Sequence, residues 1–327
     1  MRKNSNRIIE SRLPMPTILL LAAATFFILF LKDSSSWIEM LLFCVNVFLL
    51  RELNHRNTLI RQNAGMITGM FITLMLLFPG ILSETRILLF QMSMLLSMLF
   101  FLQTYQQQDS QGVKYYAYLF LGIATILWPQ AFFLVPFLLL SEKVHMSSFN
   151  IGSLWACLLG ILTPYWLALP FVYFYGMEFF SGLLDSYHDT LTSLRAIYPQ
   201  PFYHDFLSLL PFPLTLSVAI LLLMLLFCAI HYFRFSYTDK IQVRMNYSYL
   251  LLLSVVMVVM TGLPDFCTLL STDSVSFAFS VVICCATPLL VRCLNHVSSR
   301  VGNVLVYLFT SIVAVCVLYN ISLVWMD

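Results

Sequence analysis

Long apolar runs separated by short polar clusters recur along the whole chain, near residues 15–31, 37–50, 64–82, 87–104, 115–128, 130–141, 151–173, 211–233, 247–263, 275–291 and 302–324. Within each run the apolar character is continuous rather than alternating. A helix needs about 20 apolar residues to cross a hydrocarbon core of roughly 30 Å, and backbone groups in lipid must be bonded within their own segment. The pattern therefore predicts an all-α, polytopic helical membrane protein with about eleven transmembrane helices. Continuous runs also argue against a β-barrel, whose strands alternate between lipid and lumen. The shortest pair of runs lies on either side of Pro129.

One stretch breaks the rhythm. Between Met177 and Leu210, Phe180, Leu183, Leu184, Tyr187, Leu191 and Leu194 recur at three- and four-residue spacing, while Glu178, Asp185, Asp189, Thr192 and Arg195 occupy the other faces. One-sided amphipathicity with this many charges predicts a helix over about 178–196 lying in the outer interface rather than spanning it. Pro199 and Pro201 then end the helix, by removing donors and holding the preceding residues extended. The expected organisation is a single integral membrane domain over 1–327, with 177–210 as its outer interfacial loop and helix.

Composition strengthens this picture. Sixty percent of the residues are hydrophobic and only 10% charged, against a charged fraction of about 25% in soluble domains. The net charge of +2 decides little, because in a membrane protein the side on which each charge falls matters more than the total. With the amino terminus inside, the alternation puts fourteen of the seventeen Lys and Arg residues on the cytoplasmic side, Arg51, Arg56, Lys114, Lys143, Arg234, Lys240, Arg244 and Arg292 among them. Only Lys32, Arg86 and Arg195 fall outside. This positive-inside bias predicts a cytoplasmic amino terminus, an uncleaved first span and a periplasmic carboxyl terminus. RELNHRNTLIRQN and QTYQQQDSQGVK are expected to be cytoplasmic connectors, and the acidic residues lean outward.

Few groups could carry chemistry. In the outer segment His188 adjoins Asp189 and His204 adjoins Asp205, with Arg195 between the pairs. A His beside a carboxylate can serve as an oriented general base, which makes His188 and Asp189 candidate catalytic residues. Arg195, His204 and Asp205 are candidate substrate contacts, with Arg195 suited to a phosphate. Asp33 and Glu39 flank the turn between the first two runs, where a carboxylate at the rim of a span must be solvated or paired, and both are candidate catalytic acids. The spacing of these groups matches no zinc signature, so no metal is expected. The amides Asn46, Gln91, Gln130, Asn303 and Asn320 are expected to bond between helices. No run carries a lysine or paired acids near its centre, which argues against a proton-coupled pump. The eight cysteines lie mostly inside apolar runs without C-x-x-C spacing and read as packing residues. No nucleotide-binding or hydrolase motif is present, no cofactor is implied and nothing points to nucleic acid.

The passage YLFLGIATILWPQAFFLVPFLLL, followed by a polar turn and LLGILTPYWLALPFVYF, resembles the membrane core of the GT-C superfamily. These glycosyltransferases take sugars from polyprenyl-phosphate donors, and Gly122, Ala124, Pro129, Pro136, Gly160, Pro164 and Pro170 carry the likeness. The whole chain is also similar to a family of multi-span inner-membrane proteins of Gram-negative bacteria whose activity is unassigned. The resemblance implies a bacterial inner-membrane protein that handles a lipid-linked sugar or lipid at the outer face. Its partners would be membrane lipids, among them a polyprenyl-phosphate-linked substrate, and an envelope protein. GT-C enzymes place an acidic pair in a large first outer loop. Here that loop is KDSSSW, with Asp33 its only acid. The contrasting expectation is therefore a non-catalytic scaffold or transport subunit of an envelope complex.

Overall fold

A computed structural model describes residues 36–60, 64–175, 212–262, 272–296 and Ser311. In these residues all regular structure is helical: α1 Ser36–Asn57, α2 Ala64–Leu76, the single turn α3 Pro79–Leu82, α4 Thr85–Gln103 and α5 Gln111–Leu127, then a 3-10 turn Pro129–Phe133. After it come α6 Leu134–Ser141, a π-helical turn Glu142–Met146, α7 Ile151–Tyr175, α8 Phe212–Phe235, α9 Ile241–Gly262 and α10 Thr272–His296. Five helices are long and apolar enough to cross a membrane: Thr85–Gln103, Ile151–Pro170, Thr215–Phe235, Ile241–Thr261 and Ser276–Asn295.

Pairwise contacts fix the direction of each helix. Glu39 meets Thr85 and Asn46 meets Gln91, so α1 and α4 run the same way. Arg86 reaches Leu127 at the far end of α5, which therefore runs back. Lys114 and Ser153 pair at one end of α5 and α7, and Thr125 and Tyr165 pair near the other, so these two are parallel. Ser217 donates to the carbonyl of Leu77, Tyr247 to that of Leu59, and Arg292 to Asp239. The bundle thus has two ends. Glu39, Thr85, Arg86, Trp128 and Phe277 mark one, and Lys114, Glu142, Asp239, Arg244 and Arg292 mark the other.

At the centre stands α10. From Phe277 to Leu294 it is buried throughout, enclosed by α2, α4, α8 and α9. Its small residues, Ala278, Ser280, Cys284, Cys285 and Ala286, let those neighbours approach closely. Gln91 donates to the carbonyl of Ser280 at 3.0 Å and accepts from Asn46 at 3.1 Å, so one buried amide pair ties α1, α4 and α10 together. By contrast α7 presents Trp155, Leu158, Leu162, Trp166 and Leu167 outward, and α8 presents Leu223, Leu226, Ile230 and Phe233. Apolar surface this continuous suits lipid.

Close approach of α5 and α7 depends on two glycines. A Cβ on Gly160 would stand 2.8 Å from the carbonyl oxygen of Tyr115, and one on Gly122 would stand 3.0 Å from that of Ile161. Pro164 packs against Gly122, so the missing side chain of one helix receives the ring of the other.

Several boundaries differ from the sequence expectations. The helix begun by the second apolar run continues to Asn57, so Arg51–Asn57 is helical rather than loop, with Glu52 and Arg56 paired at 2.7 Å along its surface. The run over 64–82 is two helices, because Pro79 cannot extend α2 and instead opens α3, where its missing N–H costs nothing. The run after Pro129 is a 3-10 turn followed by an eight-residue helix, shorter than a full crossing. Lys114 and Arg292, expected in cytoplasmic loops, lie inside α5 and α10 and are buried. Each is tolerated there because it is paired: Lys114 with Glu142 at 2.8 Å, and Arg292 with Asp239 at 2.6 Å between the rings of Tyr232 and Tyr247. The first and last expected spans and the interfacial helix over 178–196 lie outside the described residues.

Candidate functional site

Trp128-Pro129 creates the site at the Glu39 end. A residue before proline is held extended, and Trp128 adopts φ −141° and ψ 101°. The α5 ladder stops there, and Ala131 N–H, which would have bonded Leu127 O in a continuous helix, bonds Trp128 O instead at 3.0 Å. The freed Leu127 carbonyl accepts from Arg86 Nε at 3.0 Å. A cation at a helix C-terminus also meets the negative end of the helix dipole, so the break both attracts and fixes the arginine.

Aromatic rings hold the other side of that guanidinium. Arg86 lies 5.9 Å from the centroid of Phe277, a ring that stacks on Trp128 at 5.9 Å, while Phe90 meets both rings edge-on at 5.2 and 5.5 Å. Arg86 is exposed, and among the described residues its Nη groups form no hydrogen bond or ion pair. The adjacent Thr85 donates to the buried carboxylate of Glu39 at 3.1 Å. Two nearly buried polar atoms at the break, Trp128 Nε1 and Gln130 Oε1, also lack a bond partner in these residues. The rim thus sets one exposed, oriented cation in front of a buried indole donor, a buried amide acceptor and a buried carboxylate. The guanidinium is the group here that can take a phosphate.

Of the residues predicted from sequence, Glu39 is found at this rim. There the candidate catalytic acid is buried and accepts a hydrogen bond from Thr85 of α4. Asp33, His188, Asp189, Arg195, His204 and Asp205 lie outside the described residues. Arg86, Trp128 and Gln130 were missed as a unit, although the signal was present. A W-P-Q break at the end of one apolar run and one of the three outer basic residues at the start of another are both visible in the sequence.

At the opposite end, Lys114, Tyr118 and Glu142 form a second polar centre. Lys114 Nζ pairs with Glu142 at 2.8 Å and donates to Ser153 Oγ at 2.8 Å and to the carbonyl of Ser148, while Tyr118 donates to the other oxygen of Glu142 at 3.1 Å. Every group is buried and the lysine is fully engaged, so this centre locks α5, the π turn and the start of α7 together. Sequence offered only a lysine and a tyrosine four residues apart, with no sign that their partner lay in the polar hinge at Glu142.

Among the described residues, an all-helical bundle with five membrane-length apolar helices, ion pairs that hold the buried Lys114 and Arg292, and an arginine-bearing aromatic rim is the class of protein these features define. Comparison of the chain with protein-family models, with curated proteins and with solved structures finds no match.

Proposed function

We propose that this protein is a bacterial inner-membrane protein that binds the phosphate of an anionic lipid, a polyprenyl-phosphate-linked sugar in particular, at the Glu39 rim. The observation that carries it is Arg86: exposed, pinned through Nε to Leu127 O and set against Phe277, with no further hydrogen bond or ion pair among the described residues. A pre-oriented guanidinium loses less freedom on binding a phosphate than a mobile lysine would. The aromatic wall and exposed apolar helices beside it suit an isoprenoid chain. We further propose that this rim faces the periplasm, with the amino terminus in the cytoplasm. Arg51, Arg56, Lys143, Arg234, Lys240 and Arg244 all belong to the opposite end, as the positive-inside rule requires of a cytoplasmic face. Glu39 would take a substrate hydroxyl in a GT-C-like transfer. The alternative, a non-catalytic scaffold or transport subunit, is favoured by the burial of that carboxylate and its bond to Thr85.

Binding of polyprenyl phosphate to the purified protein in nanodiscs, compared with polyprenol and with phosphatidylglycerol, tests the proposal. Losing a charge-assisted contact of about 1.5–3 kcal/mol should weaken the phosphate ligand roughly 10- to 100-fold in Arg86→Gln and leave polyprenol unaffected. Equal affinity of wild type and Arg86→Gln for polyprenyl phosphate would remove the site. Equal preference for phosphatidylglycerol would reduce it to general anionic-lipid binding.

A further inference from the structure

Asn246 is fully buried on α9, and neither its Oδ1 nor its Nδ2 finds a bond partner among the described residues. Other buried atoms of the hinge share this condition, Ser141 Oγ at the end of α6 and His145 Nδ1 in the π turn among them. Their placement follows from helix register. Tyr249 of α9 stacks on Phe137 of α6 at 6.3 Å, and these helices run in opposite directions. Ser141 lies four residues beyond Phe137 on the same face of α6. Asn246 lies three residues before Tyr249 on the same face of α9. Register therefore puts the hydroxyl and the amide on the two faces that carry this aromatic contact, each one turn from it toward the same end of the bundle. The π turn carrying His145 packs against α9.

Buried polar groups in folded proteins are bonded, and those without a protein partner hold ordered water. Asn246 alone supplies a donor and an acceptor, and Ser141 and His145 add further bonding positions, which matches the two to four partners that a buried water requires. An insertion of π geometry suits such a site, because it displaces side chains from regular helical packing, as it often does at functional positions. We propose that Asn246, Ser141 and His145 form an internal hydration site between α9 and the π turn, one turn below the aromatic contact of Tyr249. The bound water completes the hydrogen bonding of all three groups and couples α9 to the hinge that carries Glu142. This site is independent of the lipid-binding proposal and lies at the other end of the bundle.

Radiolytic hydroxyl labelling of the purified full chain, read by mass spectrometry, tests it, because water held inside a protein is activated in place and marks its neighbours. Met146 in the π turn and Met257 on α9 are both fully buried, but only Met146 adjoins the site. Met146 should label several-fold faster than Met257 in the wild type, and Asn246→Leu should bring the two rates together. Equal rates in the wild type would overturn the proposal. An excess at Met146 that persists in Asn246→Leu would overturn it as well, since the water would not then be held by Asn246.

Discussion

Replacing Lys114 by methionine removes the cation from an ion pair in which both side chains are essentially inaccessible, at 1% and 0% exposure. Four groups lose the ammonium at once: the Glu142 carboxylate, the Ser153 hydroxyl and the carbonyls of Ser148 and Gln108. Tyr118 remains on Glu142, but a single phenol cannot compensate a buried carboxylate. Breaking one side of a buried pair costs about 3–5 kcal/mol, a large part of the roughly 5–15 kcal/mol that holds a folded protein together. Lys114→Met should therefore be strongly destabilised in equilibrium unfolding in mixed micelles titrated with denaturing detergent. Removing all three polar groups, as Lys114→Met/Tyr118→Phe/Glu142→Leu, should recover most of the loss, because no buried charge is then left uncompensated. A Lys114→Met protein within about 0.5 kcal/mol of wild type would refute the reasoning, since the carboxylate would then have to be reached by water.

Gly160→Ala would put a methyl 2.8 Å from the Tyr115 carbonyl and 3.0 Å from the Leu119 nitrogen, backbone atoms that cannot move aside, whereas a Cβ on Gly112 meets nothing within 4 Å. The same unfolding assay should show a loss of about 1–3 kcal/mol for Gly160→Ala, with Gly112→Ala within about 0.5 kcal/mol of wild type. Burial pushes His145 below the ordinary imidazole value of 6.5, so the folded protein binds its proton less readily than the unfolded chain does. Its contribution is therefore fully present above that value and is lost as the pH falls through it. Thermal stability between about pH 7.5 and about pH 5.5 should fall less in His145→Gln than in wild type, and parallel curves would exclude His145 as the source.

Much of the architecture was legible because lipid imposes simple demands on a chain. A buried helix in a bilayer must be apolar and long, and the apolar runs at 87–104, 151–173, 211–233, 247–263 and 275–291 all correspond to helices able to cross a membrane. The boundaries were less legible where a helix continued past its apolar run. Arg51–Asn57 and Gln111–Lys114 are polar in sequence yet helical, because surface ion pairing in one case and a buried partner in the other remove the cost of the charge.

The candidate sites were harder to see. Glu39 was visible as a rim acid, but not its bond to Thr85, forty-six residues away. Arg86 read as a minor exception to the charge bias, and only the break at Pro129 gave it a carbonyl to bind. Ser141 and Asn246 carried no signal at all, since a lone serine or asparagine in an apolar run is ordinary.

The sequence by itself determined the solvent of this protein, its helical class and the approximate position of its membrane-length helices. Those properties depend on the composition and length of contiguous segments. Tertiary structure alone decided that α10 is enclosed by its neighbours, that Lys114 meets Glu142, and that Arg86 stands against Phe277 and bonds the Leu127 carbonyl. Such pairings depend on which helix faces bring distant residues together, and in a chain that is apolar on nearly every face hydrophobic periodicity cannot tell lipid from a neighbouring helix.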